Sequence, residues 1–185
     1  SKTMEVILST LHEKNPREEQ HSRRVANICE FIAKEMGMPV REQKRIRTAG
    51  LLHDIGKIGI QEYLLNKPGR LTKEEYEEIC RHSEIGYRIL SAAPNMADIA
   101  EIILSHHERY DGAGYPKGIA GDNIPLYSRI VSIADTFDAM TSDRSYRKAM
   151  LFGDALAELE RSAGSQFDPE LVAFFVHHIE IFIRE

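Results

Sequence analysis

Along almost the whole 185-residue chain, apolar residues return every three or four positions, and no stretch alternates in the manner of a strand. That spacing commits the chain to helices packed on helices. "MEVILSTLHEK" sets Met4, Val6, Ile7 and Leu11 on one broad stripe. "REEQHSRRVANICEFIAKEMG" aligns Val25, Ile28, Cys29, Ile32 and Met36, with Gly37 placed to end the helix. "VREQKRIRTAGLLHDIGK" carries Ile46, Ala49, Leu52 and His53 in register, and "MADIAEIILSHHERY" carries Ile99, Ile102, Ile103 and His106. Thr72 followed three residues on by Glu75 is a capping box, and Asp168 before Pro169 opens the final helix. Residues 109–125, holding Gly112, Gly114, Gly118, Gly121, Pro116 and Pro125, must be a loop. A long helix is expected over "PLYSRIVSIADTFDAMTSDRSYR". The expectation is an all-α domain of about seven to nine helices. Residues 1–14 read as an N-terminal or linker helix, and 15–185 as the domain itself.

Composition narrows the function. With 42% hydrophobic and 29% charged residues the chain is not disordered. A net charge of −5 argues against a partner that is a nucleic acid polymer, while leaving room for a small phosphorylated ligand held by local cations. Cys29 and Cys80 form no metal or redox spacing and read as buried free thiols. No apolar run reaches the ~20 residues of a membrane span, and no signal peptide is evident. Together with the opening "SKTM", this gives the expectation of a cytoplasmic domain cut from a longer chain.

Five of the eight histidines fall between positions 21 and 107, several beside an acid. Imidazole and carboxylate are the usual ligands of zinc, iron and manganese. Taken singly, each histidine is more often an ordinary polar residue; the adjacent pairs His53–Asp54 and His106–His107 change that. Neighbours on a helix point about 100° apart, so they serve two ions more readily than one. Paired hydrolytic metals sit ~3.5–4 Å apart, a span that the two oxygens of Asp54 could bridge. Lys57 stands one turn beyond His53, either a solvated lysine or a cation for developing negative charge. Arg144 and Arg147, nine and twelve residues past Asp135, are expected to share a helix face, as phosphate ligands or as surface arginines. Asp111 is either a turn former or the partner of a histidine, and Glu108 and Asp138 read as acids that orient ligands. Arg129 is a weaker case of the same kind as Arg144 and Arg147, either a phosphate contact or a salt bridge within the fold. His12, His177, His178, Met36, Met38 and Met140 read as packing residues.

"HDIGKIGI", "HHERYDGAGYP" and "IADTFDAMTSDRSYR", in that order, resemble the HD-GYP family of cyclic di-GMP phosphodiesterases, a branch of the HD-domain metal-dependent phosphohydrolases. The likeness runs from about His21 to Met150. It implies a helical bundle with a GYP loop beside a metal site. His21, His53, Asp54 and Asp135 match the ligands of one metal, and Asp54, His82, His106 and His107 those of a second, with Asp54 bridging. The implied metals are iron or manganese, and the implied nucleophile is a water or hydroxide shared between them. Lys57 matches the lysine that touches the scissile phosphate. Gly114, Tyr115 and Pro116 match a substrate-binding loop, and Arg144 and Arg147 match contacts to the other phosphate or a base. Two departures stand out. Arg17 occupies the position where some members place a glutamate for a third metal, with Glu18 next to it, so two metals are expected. Ser145 stands where proline is frequent.

The implied reaction is hydrolysis of cyclic di-GMP to linear pGpG and onward to GMP. The alternatives are a catalytically silent cyclic dinucleotide sensor or docking module, a phosphodiesterase for a related cyclic dinucleotide, or a general nucleotide phosphohydrolase. The resemblance also implies a fused upstream sensory domain and contact with diguanylate cyclases.

Overall fold

The computed structural model describes residues 2–144 and 147–184. The helices are α1 (Lys2–Lys14), α2 (Pro16–Glu35), α3 (Val40–Leu52), a single turn α4 (Glu62–Leu65), α5 (Lys73–Cys80), α6 (His82–Ser91), α7 (Ala97–Leu104), α8 (Leu126–Thr141), α9 (Phe152–Arg161) and α10 (Pro169–Arg184). Two 3₁₀ segments, Ile55–Gly59 and Gly121–Asn123, complete them. Among the described residues there is no strand, only two isolated bridges. The architecture is the all-helical one that the spacing demanded.

α2 lies along α3 and also packs on α8, α6 packs on α7 and on the Ile55–Gly59 segment, and α9 and α10 close the far side. The shared core holds Ile46, Leu90, Ile103, Ile130, Leu159, Phe175 and Ile179, all fully buried. Local chemistry sets the helix ends. Asn15 accepts from the Glu18 amide to cap α2, and the helix closes at Met36, with Gly37 at φ +73°. The capping box of Thr72 and Glu75 forms in full at α5. Asp168 Oδ1 accepts from the amides of Glu170 and Leu171 to start α10. Cys29 is buried and Cys80 half-buried, and both are free thiols.

One glycine contact positions the functional segment. A Cβ on Gly56 would stand 1.8 Å from the His82 carbonyl oxygen, so the backbone just after Asp54 lies directly against the first turn of α6. Only glycine permits that approach, which brings Asp54 and His82 together.

Four expectations need correction. Val6 faces solvent at 64% exposure, whereas Met4 and Leu11 are buried, so the stripe of α1 is narrower than its composition suggests. His82 opens α6, just past the end of α5 at Cys80. His106 lies in the turn beyond α7 instead of on its face. The expected long helix stops at Thr141: Ser142 is extended, with ψ 144°. Its apolar register ends at Met140, and Thr-Ser-Asp follows, residues whose side chains compete for backbone groups. Asp143 Oδ1 accepts from the Ala149 amide at 2.8 Å, and the Met150 amide donates back to Met140 O at 2.8 Å, folding the chain on itself. Arg144 and Arg147 therefore share no helix face. They oppose each other across an antiparallel bridge, with N···O distances of 2.8 and 3.2 Å. Ser145 lies outside the described residues.

Candidate metal centre

Three histidines are aimed by one device. Each follows a helix end, where the last carbonyls lack helical partners, and each donates its Nδ1–H to the carbonyl three residues back. The pairs are His53 to Gly50 O at 2.7 Å, His82 to Ile79 O at 2.7 Å and His106 to Ile103 O at 2.6 Å. With Nδ1 engaged, Nε2 turns inward. The Nε2 atoms of all three are buried with no hydrogen-bond partner. Orphaned buried ring nitrogens are rare unless a ligand satisfies them. His21 is held differently, between Asp138 Oδ2 at Nδ1 (2.6 Å) and Asp135 Oδ1 at Nε2 (2.9 Å). A carboxylate on the outer ring nitrogen is the usual support of a metal-binding imidazole.

These side chains meet at Asp54, whose two oxygens face different neighbours. Oδ2 lies 3.1 Å from His53 Nε2, 4.0 Å from His21 Nε2 and 2.9 Å from Lys57 Nζ. Oδ1 lies 3.4 Å from His82 Nε2 and 4.0 Å from His106 Nε2. The potential donors form two groups, His21, His53, Asp54 and Asp135, and Asp54, His82, His106 and His107, with the donor atoms of each within 4.8 Å of one another. All seven residues singled out in the sequence thus converge, and the donor set suits a divalent transition metal.

The halves differ electrostatically. At His21 burial disfavours the charge, yet Asp135 and Asp138 outweigh it and push the pKa up to about 9. At His53 burial is likewise overcome by Asp54 and Asp135, and the pKa is raised well above the ordinary value. Burial would raise Asp54 and Asp135, but their cationic neighbours hold both carboxyls well below the carboxylate range: His53 and Lys57 for Asp54, His21 and His53 for Asp135. Across the site burial prevails. His82 and His106 are lowered, and burial with the neighbouring His82 takes His107 down to about 4.

The loop stands on the histidine-rich side. A Cβ on Gly114 would lie 2.3 Å from Arg109 N and 2.5 Å from His107 O, so the loop backbone presses on the turn that bears the paired histidines. Glu108 accepts from the amides of Lys117 (2.6 Å) and Gly118 (3.0 Å), beyond the cis Tyr115–Pro116 bond. Tyr115 stacks on His107, ring centroids 5.0 Å apart at 20°, with Tyr76 at its edge. Asp111 takes the turn-forming role, accepting from the Ala113 amide at 3.0 Å and pairing with Arg109. Asp138 takes the orienting role, and Arg129 is internal, 2.6 Å from Asp168.

One contributor carried no clear signal in the sequence. Arg24 Nε donates to Asp138 Oδ1 at 2.7 Å, fixing the carboxylate that holds His21; its place seven residues before Phe31 on α2 looks like any solvated position. Lys57 Nζ lies between Asp54 and Glu18, 3.2 Å from Glu18 Oε1. A cavity of about 640 Å³ opens on the His21 side, lined by His21, Lys57, Arg144 and the junction of α1 with α2. Arg147 and the Tyr115 loop do not line it.

Comparison with known proteins accords with this geometry. The sequence profile of the HD domain matches residues 5–171. The chain is 44% identical over 173 residues to a cyclic di-GMP phosphodiesterase of Thermotoga maritima, covering 92% of this chain and 47% of that protein. It is 39% identical over 160 residues to the 3′3′-cGAMP-specific phosphodiesterase 3 of Vibrio cholerae, covering 86% of this chain and 35% of the relative. The chain therefore spans less than half the length of either. Among solved structures, a V. cholerae cyclic GMP-AMP-specific phosphodiesterase superposes with a TM-score of 0.69 at 22% identity, over 86% of this chain and 44% of that one. No described helix is long and apolar enough to cross a membrane.

Proposed function

The chain belongs to the HD-domain family, in its HD-GYP branch, and from that premise we propose that it is a metal-dependent phosphodiesterase opening cyclic di-GMP to linear pGpG and onward to GMP. The observation that carries this reading is the pair of donor groups meeting at Asp54, with three ring nitrogens buried and unpartnered. His21, His53, Asp54 and Asp135 would hold one divalent ion, and Asp54, His82, His106 and His107 the second, with iron or manganese as the proposed pair. Two ions are favoured over three because Lys57 already engages the Glu18 carboxylate. Ions held there supply charge against the phosphoryl oxygens and make a nearby water acidic.

The chain's own residues do the rest. Asp54 fixes the separation of the two groups through its two oxygens. The ammonium of Lys57, already among carboxylates, is placed to meet the negative charge that develops on the reacting phosphate. Tyr115, stacked on His107, offers an aromatic face to a base at the loop side. Gly114 and Pro116 hold that ring in place, and Arg144 at the cavity rim offers a guanidinium to phosphate. Arg147 remains a proposed contact, though from outside the cavity. Dependence on an upstream sensory domain, with residues 1–14 as the linking helix, contact with a diguanylate cyclase and a cytoplasmic location belong to the same proposal.

The 39% identity to a cGAMP-specific enzyme supports a second reading, in which a mixed cyclic dinucleotide is the preferred substrate. Both are tested together. Metal-stripped protein is reloaded anaerobically with iron(II) or manganese(II), given cyclic di-GMP or 3′3′-cGAMP, and the products are separated by chromatography beside a chelator control. Metal-dependent linear product from cyclic di-GMP is expected, and faster turnover of cGAMP would shift the assignment to the mixed dinucleotide. Retained nucleotide without turnover would replace the enzyme with a sensor.

A further inference from the structure

The ammonium of Lys57 is held from two sides. Asp54 Oδ2 accepts from Nζ at 2.9 Å, and the two oxygens of Glu18 accept from it at 3.2 and 3.3 Å. These anchors are not equivalent. Asp54 Oδ2 also faces His53 and His21 and belongs to the first donor group, so its charge is shared. Glu18 is in neither donor group, and both of its oxygens are turned to Lys57. Its side chain is 11% exposed, and a carboxylate so far withdrawn from water is costly unless a cation answers it.

The fold gives the pair a fixed frame. Glu18 stands in the first turn of α2, three residues before His21, so one helix face carries both a metal donor and the anchor of Lys57. Asn15 fixes that turn, its carbonyl accepting from the Glu18 amide at 3.0 Å and its Oδ1 at 3.4 Å. α1 packs both on α2 and on the Ile55–Gly59 segment that bears Lys57, so the two ends of the ion pair rest on a common support. A lysine is a point charge on a flexible four-carbon stem, which does not by itself set where the charge stands. Glu18 can act on that charge in two ways, by neutralising part of it or by fixing its place. The near-equal distances to its two oxygens favour the second, because an ammonium cradled across a carboxylate is fixed in direction as well as in reach. We propose that Glu18 is a positioning residue, whose carboxylate holds the Lys57 ammonium beside the reacting phosphate independently of whatever claims Asp54. This deepens the phosphodiesterase reading and rests on it. It gives Glu18, next to the position where Arg17 replaces a third-metal glutamate, a task that needs no ion.

The test follows turnover of cyclic di-GMP by the metal-loaded chain, with metal content measured on the same samples. Glu18→Gln keeps the shape and removes the charge. Its kcat and kcat/KM should both fall by about tenfold, with KM moving less than about twofold and both ions retained. Glu18→Asp should recover part of the loss. In a Lys57→Met background Glu18→Gln should have no further effect, because no ammonium is left to place. The metal-free protein gives a second readout: the unfolding midpoints of the two single variants and the double should be non-additive, and additivity would remove the coupling on which the inference stands. A kcat that is unmoved or raised, or that falls equally in the Lys57→Met background, overturns the positioning role and leaves the phosphodiesterase standing. Loss of an ion from Glu18→Gln overturns it too, since Glu18 would then support a metal and not Lys57. Wild type inactive with both iron(II) and manganese(II) overturns the phosphodiesterase, and the positioning role falls with it.

Discussion

The two halves of the metal centre share Asp54 yet are built on opposite principles. Around His21 and His53, carboxylates outweigh burial and keep the imidazoles protonated, that of His21 up to about 9. Around His82, His106 and His107, burial prevails and the rings are neutral, His107 down to about 4. A cation entering the first half must displace protons; one entering the second meets free nitrogen lone pairs. The same residue type is thus prepared for the same task by charge in one place and by desolvation in the other.

Asp54→Ala is the most severe way to break the comparison, since it removes the oxygen that serves each half. Activity should fall by about 1,000-fold or more. Elemental analysis should show loss of both ions, and retention of one at full occupancy would mean that the halves are independent. The pH dependence of metal affinity comes next. His21 must lose a proton that it holds up to about 9, so affinity in its half should rise by about tenfold per pH unit for each proton displaced, between about pH 6 and pH 8. His107, neutral above about 4, gives its half a nearly flat profile over that range. Titration calorimetry in buffers of different ionisation enthalpy should resolve a proton-releasing step and a proton-neutral one, and two equal steps would erase the distinction. Asp138→Asn should weaken the His21 half by about 10- to 100-fold, read as metal affinity, while leaving the other ion in place. Gly114→Ala should act on the other side alone. The new Cβ, 2.3 Å from Arg109 N, must displace the loop at a cost of about 1–3 kcal/mol, read by thermal unfolding, with the pH profile of the His21 half unchanged.

The legible part of this molecule was the part written in rare residue types. Histidines beside aspartates, and glycines with prolines, point to a centre and a loop because few other demands gather them. Periodicity gave the helices for the same reason: Val25, Ile28, Cys29 and Ile32 are all buried. It could not show where α8 stops, because Thr141 to Asp143 are acceptable in a helix until a tertiary partner, the Ala149 amide, claims the Asp143 carboxylate. Nor could it choose for Asp111 and Asp138. One bonds two residues along the chain and the other reaches His21 across 117 positions, a difference of topology and not of composition.

The three-residue link between each helix-end carbonyl and its imidazole acts as a ruler. Ile79 to His82 and Ile103 to His106 leave no slack: one residue added between carbonyl and ring would swing the side chain by about 100° and carry the nitrogen out of the centre. Lineages of this fold should accordingly accumulate length changes near Gly121, where nothing lies within 4 Å of an added Cβ, and almost none in the turns that bear the histidines. Divergence in this domain should run through its loop tip, while the helix ends keep count.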